Sequence, residues 1–203
     1  MPYQLKNPQK IYFVIKTILD FFFSLQGIAL SLVPFLIICL ISFIDDPGNP
    51  FFLQKRLGRN LKPFTIIKFR TMKKNAIDEN LPAKLIDDEE YAKVSTKWQR
   101  FLRRTSIDEL PQVYNVFLFQ MSFIGPRPLI PQESSVHEAR KANGSIAVRP
   151  GLLGLAQEKG RHELTDKAKG YWDGEYVKHF SFHQDVKIFF TGMAKVFKGE
   201  GAK

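Results

Sequence analysis

The chain has 203 residues, with 30 Lys and Arg against 20 Asp and Glu, giving a formal net charge of +10. So basic a balance points to an anionic partner: nucleic acid, phospholipid or a phosphorylated substrate. A single cysteine excludes a disulfide framework and a Cys-rich metal site, while 19 Phe against 6 Tyr and 2 Trp supply rings without a polar handle, suited to a core or to lipid.

The first element is the apolar stretch 11–44, IYFVIKTILDFFFSLQGIALSLVPFLIICLISFI, of which 21–44 carries no charge. As one straight helix that uncharged part would reach about 36 Å, enough to cross a bilayer. Its length and the lack of a small-residue cleavage site argue against a signal peptide. Lys6, Lys10 and Lys16 precede the uncharged part, and Lys55, Arg56, Arg59, Lys62, Lys68 and Arg70 follow it. Both flanks therefore carry the positive charge that marks a cytoplasmic side. Pro34 removes a backbone donor near the middle and predicts a kink there. Lys16 and Asp20 share a helical face and mark the depth of the interface. A re-entrant helix, entering and leaving on one side, satisfies all of these features. The turn cluster DDPGNP (45–50) then places a boundary between a membrane segment, 1–45, and a second domain, 46–203.

Beyond the boundary, FFLQKRLGRNLKPFTIIKFRTM (51–72) reads as two short strands joined at GRNLKP. Residues 73–93 are polar, and DDEE (87–90) reads as a solvated face or loop. WQRFLRRT (98–105) is a basic helix, and QVYNVFLF (112–119) a buried one. MSFIGPRPLIP (121–131) is extended, and IAVRPGLLGLAQEKGR (146–161) is loop-rich with short strands. In 183–198, Val186, Phe189, Phe190, Met193, Val196 and Phe197 form one helical face with lysines elsewhere, a pattern that suits a core or a membrane surface.

Between the two central helices lies TSIDELPQ (105–112). Ser106 and Glu109 have the spacing of a capping box. That start would put Pro111 past the free amides, where it deletes a helical hydrogen bond. A helix starting at Asp108 or later leaves Pro111 among the free amides, with Asp108 ionised and exposed at its positive end. Around this acidic pair the sequence offers Lys68 and Arg70, Arg103 and Arg104, Arg127 in GPRP, and Arg149 in VRPG. Arginines stiffened by neighbouring prolines suit a phosphate cage. One Asp-Glu pair is about what Mg²⁺ needs when phosphates and water complete its shell. His179 and His183 lack the residues of a zinc motif, and no P-loop, dinucleotide fingerprint or nucleophile elbow is present.

The blocks PGNPFFLQKRLGRNLKPFTIIKFRTM, FLRRTSIDELPQVYNV, MSFIGPRPL, VRPGLLGLAQEKGR and SFHQDVKI, together with the apolar N-terminal segment and its proline, resemble the bacterial monotopic phosphoglycosyl transferases, the initiating sugar transferases. The resemblance implies an α+β fold: a re-entrant membrane helix, then a small, mostly helical catalytic domain with short strands and membrane-surface amphipathic helices. It implies transfer of a sugar 1-phosphate from a UDP-sugar to a polyprenol phosphate of the undecaprenyl type, with release of UMP. This would be the first membrane step of glycoconjugate assembly, at the cytoplasmic face of the bacterial inner membrane. Asp108 would be the nucleophile, forming a phosphosugar-aspartyl intermediate, with Glu109 beside it and Mg²⁺ at both. Lys68, Arg70, Arg103, Arg127, Arg149, Gln157 and Asp173 would serve the substrate or its phosphates, and Pro34 the helix break. Nucleic acid is not an implied partner, and a homo-oligomer is left open. Two departures stand out. Val33 precedes Pro34 where the family usually has serine, and Phe119-Gln120 replace a Gly-acidic turn.

The residues by themselves also allow a non-enzymatic basic protein or a metal-dependent phosphohydrolase. The uncharged apolar run argues against the first as a soluble nucleic-acid binder.

Overall fold

Helix α1 (Asn7–Asp45) is 39 residues long, and its two sides are chemically inverted relative to a soluble helix. Its buried stripe is mostly polar: Gln9, Lys16, Asp20, Ser24 and Ser42, joined by Ile38. Its outward surface is apolar, including Ile18, Phe22, Leu30, Val33, Leu36, Leu40 and Ile44. The helix is long and apolar enough to cross a membrane, and only 11% of its most apolar window is buried. In this computed structural model the described residues are 4–74, 76, 88–160 and 164–197.

Pro34 lies inside α1, and the helix runs on through it. The break predicted at Pro34 therefore does not interrupt the helix. Contacts on both sides of the proline explain the continuity. Before it, Gly27 lets α4 come close, because a Cβ there would stand 3.3 Å from Val113 Cγ1. After it, Phe35 packs on Phe51, Phe69 and Tyr114, and Ile38 joins a cluster with Phe69 and Leu102. Ser31 bonds back to the Ile28 carbonyl at 3.4 Å, within its own turn.

Both ends of α1 are tied to the same body. Near its start, Gln9 Nε2 donates to the Val177 carbonyl at 2.9 Å, and Lys16 Nζ reaches Asp185 at 2.5 Å. At its end, Trp98 Nε1 donates to Ser42 at 2.9 Å, and Asp46 pairs with Arg70 at 3.2 Å. The described part of the predicted membrane segment, 4–45, thus shares core clusters with the rest of the described chain.

The predicted hairpin is present. Strands β1 (Phe51–Leu57) and β2 (Pro63–Phe69) pair antiparallel, Phe51 opposite Phe69 and Leu57 opposite Pro63. A 3₁₀ turn, Arg59–Leu61, joins them, with Asn60 and Leu61 at positive φ. Then follow α2 (Asp88–Lys93), α3 (Lys97–Arg104) and α4 (Gln112–Phe117). Helix α2 occupies part of the stretch read as a polar loop; Asp87 lies outside the described residues. Strand β3 (Ser122–Ile124) pairs in parallel with β4 (Gly151–Leu153), with α5 (Ser134–Asn143) between them in sequence. Helices α6 (Leu155–Gly160), α7 (Asp166–Lys178) and α8 (Phe182–Phe197) complete an α+β architecture.

In α8 the side facing the protein carries Asp185 and Ile188, with Gly192 against Leu153. Phe182, Phe189 and Phe190 point outward. The phenylalanine face read from the sequence is thus not the core face. The side chains of Val196 and Phe197 and all of Lys198 lie outside the described residues.

Candidate active site

The acidic pair sits in a 3₁₀ turn, Ile107–Glu109, between α3 and α4. The capping box of this region is not at Ser106. It is at Thr96, whose hydroxyl accepts from Gln99 N at 3.1 Å while Gln99 Oε1 accepts from Thr96 N at 3.0 Å. That box starts α3. Ser106 instead takes left-handed dihedrals, φ 58 and ψ 15, and so ends α3 and reverses the chain. Pro111 occupies the residue before α4, where no helical hydrogen bond is lost. Asp108 is 8% exposed. The expectation of an exposed, ionised aspartate at a helix end is therefore corrected: the turn folds Asp108 inward instead of presenting it to water.

Burial raises the Asp108 carboxyl to about 7; Glu109 adds to the rise, while Lys68 above all, then Arg103 and Arg127, oppose it. No described residue hydrogen-bonds this carboxylate. Glu109 Oε1 accepts from Lys68 Nζ at 2.7 Å and lies 3.8 Å from Arg127 Nη1. Arg103 stacks 4.3 Å over the Tyr91 ring, and Tyr91 in turn donates to the Thr71 carbonyl at 2.8 Å. Lys68, Arg103 and Arg127 therefore converge on the pair as the sequence suggested. They come from β2, α3 and the GPRP loop.

Four other predicted site residues are placed elsewhere. The Arg70 guanidinium binds Asp46 at the end of α1. Arg149 donates to Thr17 at 2.8 Å, approaches Asp20 at 3.9 Å and lies over the Phe13 and Phe119 rings. It fastens α1. Asp173 is buried against Arg140 at 2.6 Å, and Arg140 Nη2 donates to the Arg127 carbonyl at 2.9 Å. Asp173 is thereby linked, through Arg140, to the backbone of Arg127. Gln157 is buried in α6, and neither atom of its amide group has a partner among the described residues. None of these four is among the charges that act on Asp108.

Next to Glu109 opens a small recess lined by Arg56, Lys68, Glu109, Gln112, Arg127 and Gly151. Three of these, Arg56, Gln112 and Gly151, are not among the site residues that the sequence suggests. Arg56 was counted only as flanking charge, and Gln112 as one residue of a buried helix. Adjacency to the acidic pair was the available signal for Gln112. For Arg56 it was the alternation of β1 and β2, which sets Arg56, opposite Phe64, on the hairpin face that also carries Lys68.

Among the described residues no group of three or more His, Cys, Asp or Glu gathers to hold a metal. The donor set here is one carboxylate that no described residue hydrogen-bonds and one shared with lysine. It fits an ion that takes few protein ligands and fills its shell from phosphates and water, as Mg²⁺ does.

The sequence pattern of the bacterial sugar transferase family matches residues 11–199, and the chain belongs to that family. It is 36% identical over 180 residues to an uncharacterized sugar transferase of Haemophilus influenzae, covering 83% of this chain and 38% of that protein. It is 34% identical over 195 residues to a UDP-galactose-lipid carrier transferase of Erwinia amylovora, covering 89% of this chain and 40% of that one. The chain thus spans about two fifths of those two relatives. The exopolysaccharide production protein PSS of Rhizobium leguminosarum is matched along 98% of its length and 93% of this chain, at 34% identity.

Proposed function

We propose that the protein transfers a sugar 1-phosphate from a UDP-sugar to a polyprenol phosphate, releasing UMP. The observation that carries this reading is the buried Asp108 beside Glu109, with Lys68, Arg103 and Arg127 turned toward the pair. A relative described as a UDP-galactose-lipid carrier transferase supports both substrate classes.

In the first step an Asp108 oxygen attacks the sugar-linked phosphorus. The phosphorus–oxygen bond to UMP breaks, and UMP leaves with the electron pair. In the second, a phosphate oxygen of the lipid attacks the same phosphorus and the bond to Asp108 breaks, restoring the carboxylate. Lys68, Arg103 and Arg127 offset the charge that builds on the phosphoryl oxygens. Burial leaves the nucleophile weakly solvated, so little water must be stripped from it before attack. Mg²⁺ held by Asp108 and Glu109 would supply further charge neutralisation at the phosphates.

The body sits on one side of the membrane, at the cytoplasmic face of the bacterial inner membrane. The attachment of both ends of α1 to that body supports this seating, as does the apolar outer surface of α1 and α8.

The test is UMP release from a panel of UDP-sugars with polyprenol phosphate and Mg²⁺. Wild type should turn over, and Asp108→Ala and Asp108→Asn should not. With donor alone, mass spectrometry should find a phosphosugar adduct on the peptide carrying Asp108. Sustained turnover by either variant would refute the proposed role.

A further inference from the structure

Two buried donors at the recess beside Glu109 have no partner among the described residues. Gln112 is 2% exposed, and its Nε2 has no partner among the described residues. Arg56 Nε is likewise buried and unpaired. The rest of its guanidinium is fixed, Nη1 donating to the Pro128 carbonyl at 3.3 Å and Nη2 to Gln54 at 2.5 Å. A buried donor without an acceptor costs free energy unless a ligand or water completes it.

The charge balance names the missing acceptor. Arg56, Lys68 and Arg127 line the recess against the single carboxylate of Glu109. Glu109 already binds Lys68 at 2.7 Å, and Arg56 reaches no carboxylate closer than Glu133 at 4.0 Å. Burial and the neighbouring Arg127 push the Arg56 guanidinium down to about 10, against the opposing pull of Glu133 and Glu109. Such a set suits phosphoryl oxygens, which accept several charge-assisted hydrogen bonds at once.

Asp108 does not line this recess. The phosphorus it attacks must lie against its own carboxylate, so the recess falls to the neighbouring phosphoryl group of a diphosphate. We propose that Arg56, Gln112 and Arg127 form a subsite for the phosphate that leaves with the nucleotide; this rests on the transfer reaction proposed above. These donors hold the oxygens on which charge accumulates as the phosphorus–oxygen bond breaks, so they bind the product and ease its departure from the sugar phosphate.

The experiment measures UMP and inorganic phosphate binding to the full chain in nanodiscs by calorimetry. Gln112→Met keeps the volume and removes the donor. Gln112→Glu keeps the shape and adds negative charge. UMP affinity should fall about tenfold in the first variant and further in the second, because hydrogen bonds to charged groups are worth that much. Inorganic phosphate should compete with UMP on the wild type and lose that ability in both variants. Helical circular dichroism should stay native. Unchanged UMP affinity in a folded Gln112→Met protein would overturn the subsite, even while wild type turns over UDP-sugars. Phosphate binding that depends on Gln112, in a protein releasing UMP from no UDP-sugar, would refute the transfer reaction and leave a phosphate subsite standing.

Discussion

Asp173 and Arg140 form a buried ion pair, Oδ2 to Nη2 at 2.6 Å, and the same guanidinium nitrogen donates to the backbone carbonyl of Arg127 at 2.9 Å. The GPRP loop is thus braced from α5 and α7. Removing one partner strands a buried charge. Asp173→Ala should destabilise the fold by roughly 3–5 kcal/mol. A double variant, Arg140→Met with Asp173→Leu, should recover most of that stability, since apolar residues of similar volume replace buried pairs without loss. It should not recover kcat/KM, because the Arg127 carbonyl has lost its donor. Thermal unfolding and donor kinetics on all three proteins check both halves.

The pH behaviour of Asp108 has a definite sign. Its carboxyl is raised from 3.8 to about 7, so the native state favours the protonated form. Its contribution to stability is full below the unfolded value and declines as pH rises from about 4 to about 7. Asp108→Asn should therefore raise the melting temperature more at pH 8 than at pH 4, in buffer free of divalent ions. The expected gain at pH 8 is on the order of 2–4 kcal/mol. Lys68 is the strongest charge holding the carboxyl down. Lys68→Met should move the acid limb of the donor-binding profile to higher pH.

Asp185 gathers three partners from two helices: Lys16 at 2.5 Å, Tyr12 at 2.6 Å and Tyr176 at 2.8 Å. Asp185→Ala leaves Lys16 buried without its counter-ion, a change that costs about 3–5 kcal/mol. Amide exchange should accelerate across the first half of α1, up to about Asp20, and stay slow around Phe35 and Ile38, which pack elsewhere. Uniform acceleration along the whole helix would contradict this independent fastening.

Single cysteines introduced at Lys10 and Lys55, in a background with Cys39 replaced, test the seating of α1. With both ends of the helix bound to one body, neither cysteine should react with an impermeant maleimide applied outside intact cells. Both should react once the cells are opened. Labelling of the Lys10 position from outside would show that the helix spans.

What was legible in the sequence was local. The hairpin and the basic helix α3 followed from alternation and composition, whereas the approach of Lys68, Arg103 and Arg127 to the acidic pair was suggested by their charge and by the family resemblance. What escaped was set by partners far along the chain. Arg149 looked like a phosphate ligand because Pro150 stiffens it, yet its partner Thr17 lies 132 residues away. Asp173 and Arg70 carried charge suited to a site and instead met Arg140 and Asp46. Pro34 had the chemistry of a break, but packing on both sides of it carried the helix through. Burial of Asp108 followed from the left-handed turn at Ser106, a conformation that serine rarely adopts and that short-range preferences do not foretell.

The polar stripe on α1 bears on how the molecule is made. Lys16 finds its counter-ion 169 residues later, in the final described helix. Held in hydrocarbon apart from the rest of the fold, α1 would carry Lys16 and Asp20 with only each other as counter-ions, without Asp185 and Arg149, at a cost of several kcal/mol. Seating of that stripe is therefore coupled to the folding of α8, which supplies Asp185.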